Sequence, residues 1–366
     1  MAERGVSYDD LVQEARLAYR ELHLTEALEA YRVAAELEPN RHEAHLGIAR
    51  SLTRMRDHEN AVMAAERSIE LAPERAEGHA ALGVLHFLVD DNDEARRCLE
   101  HAIELSPKDP APRLSLAQVL ADLKEAETAR QELELAREML PSVEDDRERQ
   151  ELTALAWHVE TYIHLSTGSS AQAMVSAQEV IAMGDVNPYA ACLAYSNMGI
   201  LEARAGRGHY DQAIEYLEKS FGMNPYFYRA GYALGRLLMI RNQRERAVEV
   251  LSQVVEAAPA DSASMRHAYA MALAKTGQRQ EAVVQFQQAL DDGVGLYRIR
   301  PNRYQRNILT IEFPDSRKPL LAHHSASAGS QSEESPGTRL LDIPDVVESP
   351  IADIGNLSPF AGFWIK

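Results

Sequence analysis

An all-α, right-handed solenoid of about eight antiparallel helix pairs is predicted by three features of the 366-residue sequence. Pro39, Pro73, Pro107 and Pro141 stand 34 residues apart. Ala27, Ala61, Ala95 and Ala129 keep the same interval, each 12 residues before its proline, and Ala213–Pro225 and Ala247–Pro259 repeat that offset. Between these marks apolar residues recur at helical spacing. A fixed period of this length means stacked supersecondary units, each too small to bury its own apolar face.

Residues 76–107 show how one unit is written. Leu82, Leu85 and Leu88 lie on one stripe of a first helix. Asp91 followed three residues later by Glu94 predicts a capping box for a second helix. That helix carries Ala95, Leu99, Ala102, Ile103 and Leu105 on one face and stops at Pro107.

Small residues set the stacking in every unit. With the terminal proline numbered 32, position 8 holds Ala15, Ala49, Gly83, Ala117, Gly199, Gly235 and Ala270. Position 20 holds Ala27, Ala61, Ala95, Ala129, Ala173, Ala213, Ala247 and Ala282. A small side chain at a helix crossing lets two backbones approach closely, and a bulky one would overpack it.

The ruler breaks in the middle. Pro141 to Ala173 spans 32 residues where Pro39 to Ala61 spans 22. The ten extra residues lie in VEDDRERQEL, which has no Gly or Pro, so an elongated first helix is predicted over 144–166. Gly206 and Gly208 lengthen the turn before Tyr210, and the join Met183–Pro188 is also long. The predicted organisation is four units over 1–141, four over 142–296, a basic capping segment over 297–314, and a disordered tail over 315–366. A structural break falls near 142–190, separating two sub-arrays of different curvature.

Composition excludes several functions. The formal net charge of −18 disfavours nucleic acid and anionic lipid as partners. The basic stretch with Tyr297, Arg298, Arg300, Arg303, Tyr304 and Arg306 reads better as a cover for the last repeat than as a nucleic-acid site. Cys98 and Cys192 lack metal spacing, and no apolar run reaches bilayer length. The N-terminus has no apolar h-region, so a cytoplasmic location is expected. There is no GxxxxGK, GxGxxG, GxSxG or HExxH, and the pair His42 and His45 has no third ligand. No enzyme, cofactor or metal is predicted.

The chain resembles the tetratricopeptide repeat family. The marks are the small residue at 8, alanine at 20, proline at 32, and a large residue at 24: Tyr31, Leu99, Leu133, Leu217, Leu251 and Phe286. Of the family's aromatics at position 4, Trp157 matches. The resemblance covers about residues 8–296. It implies a protein–protein interaction scaffold or adaptor whose first helices line a concave groove.

On that resemblance, the groove presents Arg16, Tyr19, Arg20, Arg50 and Arg54 from units one and two. Units five and six add His158, Tyr162, Asn197 and Arg204. Units seven and eight add Arg229, Tyr232, Arg236 and His267. Arginine forks and tyrosine rings suit an extended acidic or phosphorylated segment of another protein. The family's chaperone-carboxylate clamp is not reproduced. Units one to three offer Val12, Arg16, Gly47, Glu77 and Ala81 there, and in units five to seven only Asn197 and Arg229 match. A peptide-sensing regulator or an assembly factor for a multiprotein complex is the alternative. Residues 340–366 mix Leu, Ile, Val, Phe and Trp with Asp and Glu between prolines, so they read as a linear motif able to compete for the basic groove.

Overall fold

The computed structural model describes residues 7–257 and 263–293. The capping segment 297–314, the tail 315–366 and its motif 340–366 lie outside the described residues. Within them the chain forms sixteen α-helices and no strand.

The helices alternate along the chain. Units one and two contain α1 (Tyr8–Arg20), α2 (Leu24–Leu37), α3 (His42–Arg54) and α4 (His58–Leu71). Units three and four contain α5 (Ala76–Leu88), α6 (Asn92–Leu105), α7 (Pro110–Asp122) and α8 (Ala126–Met139). Units five and six contain α9 (Asp146–Ser166), α10 (Ser170–Ala182), α11 (Pro188–Ala205) and α12 (Tyr210–Met223). Units seven and eight contain α13 (Tyr228–Ile240), α14 (Arg244–Ala257), α15 (Ala263–Lys275) and α16 (Arg279–Gly293).

Local chemistry sets the helix starts. Ser7 caps α1 reciprocally: its Oγ accepts from Asp10 N at 3.2 Å, and Asp10 Oδ2 accepts from Ser7 N at 3.3 Å. Asp145 and Asn187 cap α9 and α11 through Glu148 N (2.7 Å) and Ala190 N (3.0 Å). At α6 half of the expected capping box forms. Asp91 accepts from Glu94 N at 3.4 Å, whereas the Glu94 carboxylate turns to Arg97.

The small positions do what the spacing predicts. Seven of the position-20 alanines are 0% exposed and Ala282 is 1% exposed. A Cβ on Gly83 would come within 2.8 Å of Leu99 Cγ and 3.1 Å of the Ala95 carbonyl. The same three positions meet in unit six, where a Cβ on Gly199 would lie 2.6 Å from Leu217 Cγ. Positions 8, 20 and 24 are therefore one joint in units three and six, and Gly235 meets Leu251 in the same way in unit seven.

Seven of the eight first helices end on a residue with left-handed backbone, the exception being α11, where Gly206 has φ 115° and ψ −175°. Leu22, Arg56, Asp90, Lys124 and Asn242 have φ between 60° and 67°, and Gly168 and Gly277 fill the equivalent place. This αL residue closes the helix with backbone bonds such as Asp57 N to Leu52 O at 3.0 Å. Only two of those seven residues are glycine, which is why the turn has no compositional mark.

At six of the seven junctions the odd-numbered helices pack directly on one another: α1 on α3, α3 on α5, α5 on α7, α7 on α9, α9 on α11, α13 on α15. No even-numbered pair is as close. The odd helices thus occupy the inner radius of the curve and form its concave face.

At the middle, α9 has 21 residues and α11 has 18, against 13 in the other odd helices. Position counting from Ala173 and Ala213 places the extra residues at the N-terminal ends of both helices. The core does not stop there. One apolar cluster runs from Ala95 and Leu99 through Leu133 and Leu140 to Leu152, Val159 and Ile163. Residue 142, where the range 142–190 expected to hold a break begins, lies inside the stretch this cluster spans, and separate clusters follow from Ala154 to Met198 and from Ile200 to Ala272.

Candidate functional site: the inner face

The inner face is built from the last turns of the first helices in units one to three and the first turns in units five to seven. The two sets meet. Arg20 Nε at the end of α1 lies 3.3 Å from Glu151 Oε1 on α9. Arg54 at the end of α3 donates to the Tyr19 carbonyl at 2.8 Å. Its guanidinium sits between two aromatic rings, 3.7 Å from the centroid of Tyr19 and 4.4 Å from that of Tyr189 at the start of α11. Arg56, the αL residue after α3, lies over Phe227, which precedes α13, at 5.6 Å. Thr25 Oγ1 and Tyr226 Oη are 3.4 Å apart.

A second cluster lies beside these contacts. Tyr162 Oη donates to Asp122 Oδ1 at 3.2 Å, and Asn92 Nδ2 donates to Asp122 Oδ2 at 2.9 Å. Asp90 faces Asp122 and Arg229; burial first, and then the Asp122 charge, push its carboxyl up to about 6. Arg229 is hemmed in by protein, so burial lowers its pKa despite the neighbouring Tyr228, Tyr162 and Asp90. Burial also raises Asp109, near Glu77 and Arg50.

Charge is therefore segregated along the inner face. Arg16, Arg20, Arg50, Arg54 and Arg56 belong to α1, α3 and their turns, whereas Asp90, Asp109 and Asp122 belong to α5, α7 and theirs. Arg16 and Arg50 are exposed. They stand with Arg20 around the buried Tyr31, whose hydroxyl is pushed up to about 12 by burial against the opposing pull of these arginines.

The remaining expected groove residues divide into three groups. His158 is 4% exposed and neither ring nitrogen has a hydrogen-bond partner, so it is a core residue and not part of an open wall. The physical reason is that first helices pack on one another from unit to unit, α9 on α7 and α11, and position 5 falls inside that packing, as it does at the buried Val12, Leu46 and Leu114. Burial pushes His158 down to about 4, which keeps it neutral. Tyr162 and Tyr232 are also buried in their rings, although Tyr162 still delivers its hydroxyl to Asp122. Asn197, Arg229, Arg236 and His267 are half-buried, and Arg204 is exposed. Arg236 lies over the Tyr232 ring at 5.7 Å, and His267 packs against Phe286 at 5.5 Å.

Sequence reasoning missed Arg56, Asp90, Glu151, Tyr189, Tyr226 and Phe227. None occupies one of the family's groove positions. Arg56 and Asp90 share the αL place of the repeat, and that shared place was the one signal available. Glu151 and Tyr189 lie in the N-terminal extensions of α9 and α11. Among the described residues no group of three or more His, Cys, Asp or Glu could hold a metal. No helix there is long and apolar enough to cross a membrane.

Comparisons with known proteins agree with this architecture. Two family models, both described as tetratricopeptide repeat, match residues 86–155 and 205–272 in one case and 12–76 in the other. The matched stretches together exceed half the chain. The chain belongs to the tetratricopeptide repeat family. Among solved structures, a chain of the APC/C hetero-tetramer Cut9–Hcn1 superposes with a TM-score of 0.55 at 16% identity, covering 83% of this chain and 55% of that one. This chain thus spans little more than half that one's length, and the likeness is one of fold. A tetratricopeptide repeat protein from Parabacteroides merdae aligns with a TM-score of 0.45 at 12% identity, over 74% of this chain and 100% of that one. No curated protein matches the chain in sequence. As a tetratricopeptide repeat protein, the molecule has the framework of a protein–protein interaction scaffold.

Proposed function

We propose that this tetratricopeptide repeat protein is a non-catalytic adaptor of a reducing, cytoplasmic compartment. In this reading it holds an extended acidic or phosphorylated segment of another protein against α1 and α3. The observation that carries it is the pair of solvent-exposed arginines, Arg16 and Arg50, flanked by Arg20, Arg54 and Tyr19 on one stretch of the inner face. Guanidinium forks bind carboxylate or phosphate in pairs, and a local excess of one sign within a concavity concentrates the opposite charge even on a molecule of net charge −18. The acidic stretch over α5 and α7 limits the footprint and fixes the direction of the bound segment, because it repels a ligand that extends past α3. The chain's own residues 340–366, acidic and apolar in turn, fit the same requirement as a tethered competitor.

Fluorescence anisotropy with fluorescein-labelled deca-glutamate tests the reading. Arg16→Glu with Arg50→Glu should weaken binding at least about tenfold, as expected for loss of two charge-assisted contacts. Removing residues 315–366 should strengthen binding if the tail competes. Equal affinity of the wild type and the double charge reversal overturns the proposed site.

A further inference from the structure

The contacts that join the two halves across the inner face differ in kind from those that build the solenoid. Every apolar cluster is shared by neighbouring units. One joins α1, α2 and α3, another joins α2 to α5, a third runs from α6 to α9, and others occupy α9 to α12 and α11 to α15. None of them joins units one and two to units five, six and seven. Among the described residues the link between those units consists of an ion pair, a hydroxyl pair and arginines laid on aromatic rings. Each such contact is weak while water can reach it, because solvation competes with it. A solenoid also bends cheaply, since opening can be spread as a small rotation over every joint.

The geometry points to a latch: Arg20–Glu151, the Tyr19–Arg54–Tyr189 stack, Arg56–Phe227 and Thr25–Tyr226 hold the concave face closed, and a protein segment reaches α1 and α3 fully only when the two walls part. This rests on the ligand reading above and adds its regulation. The latch uses the same arginines that would grip the ligand. Glu151 stands in for a ligand carboxylate at Arg20, and the rings of Tyr189 and Phe227 cover Arg54 and Arg56. An acidic segment that pairs with Arg20 and Arg54 replaces these contacts one for one. It therefore favours the open form through its greater affinity for it.

The repeat irregularities supply the latch. Glu151 and Tyr189 lie in the extra N-terminal turns of α9 and α11, beyond the length a regular unit would have. Asn187 Nδ2 donates to the Glu151 carbonyl at 3.1 Å, so the two extensions are tied to each other. They are positioned as one body facing units one and two.

Spin labels on the full chain test this. Glu29→Cys on α2 and Glu179→Cys on α10 are exposed positions on the outer helices of units one and five. Cys98→Ser removes the native thiol that is accessible, and the fully buried Cys192 stays. The pulsed-dipolar distance distribution of the parent should show one short population. Arg20→Glu, Arg54→Ala and Tyr189→Ala should each shift it to longer distances while helicity by circular dichroism stays unchanged, since none of these residues is buried in an apolar cluster. Arg67→Ala, which breaks an outer pair with Glu70 inside α4, should leave it unmoved. Unshifted distributions in all three latch variants overturn the inference. The distances are read without ligand, so they decide the latch even if deca-glutamate fails to bind and the proposed site falls. If deca-glutamate binds, Tyr189→Ala should bind it about three- to tenfold more tightly, because the closed population no longer competes. An opened distribution with unchanged affinity overturns the gating role.

Discussion

Units one to four keep the 34-residue ruler, whereas units five and six break it, and the two regions contribute different things to the inner face. The regular region delivers side chains by repetition. The end of each first helix and the αL residue after it recur at fixed height, and Arg20, Arg54, Arg56 and Asp90 occupy those places in units one to three. The irregular region delivers reach. Its first helices start one to two turns early, and Glu151 and Tyr189 sit on the added turns. Periodicity builds the wall, and departures from periodicity build what faces it.

The largest effect is expected from removing packing at the regular joint. Leu99 is 0% exposed and meets Gly83 and Ala95. Leu99→Ala should cost about 3 kcal/mol of stability, read by urea denaturation, because it leaves a cavity where three repeat positions meet. Arg54→Ala, by contrast, should cost about 1 kcal/mol or less, since it removes only polar and cation–π contacts. A latch variant as destabilising as Leu99→Ala would mean that the two regions share one cooperative core.

The buried His158 gives the next effect in size. Its folded pKa of about 4 lies below the ordinary 6.5. The unfolded chain therefore takes up a proton first, and stability falls as pH drops from 6.5 towards 4, by ~3 kcal/mol in total. His58, also pushed down to about 4 by burial and by Arg56, loses stability over the same window, although less because it is partly exposed. Asp90 acts with the opposite sign. Its carboxyl is raised from 3.8 to about 6, so its contribution is present at low pH and disappears as pH rises through that interval. Melting His158→Leu at pH 7 and pH 5 should show a shallower pH dependence than the parent and no loss at pH 7, because two unpartnered ring nitrogens leave the core. An unaltered pH dependence would show that His158 does not titrate in this window.

The smallest expected effect concerns the turn. Lys124 has φ of 67° at the αL place that Gly168 and Gly277 fill in other units. Lys124→Gly should raise stability by up to about 1 kcal/mol, since glycine adopts this backbone without a Cβ clash. A neutral or negative result would mean that the Lys124 side chain contributes as much as the backbone strain costs.

Much of the fold was legible in the sequence because its rule is local. A small residue at 8, alanine at 20 and a large residue at 24 meet within one helix pair, so a fixed spacing reports them directly, as Gly83, Ala95 and Leu99 show. The lengthening of α9 was legible for the same reason, since residues inserted without Gly or Pro extend a helix. The site was less so. Position 5 is buried in the regular units as well, at Val12, Leu46 and Leu114, so His158 at that position is a core residue.

The repeat, the joint, the length of α9 and the arginines on first helices could all be read along the chain, because each depends on residues a few tens apart; the extension of α11 could not. That Arg20 meets Glu151, that Arg54 lies between Tyr19 and Tyr189, and that Arg56 reaches Phe227 is visible in the folded solenoid alone. Those partners are separated by 131, 35, 135 and 171 residues, and apart from Tyr19 they come together only through the accumulated rotation of several joints. A small change in the angle at each joint would part them, and no spacing along the chain encodes that angle.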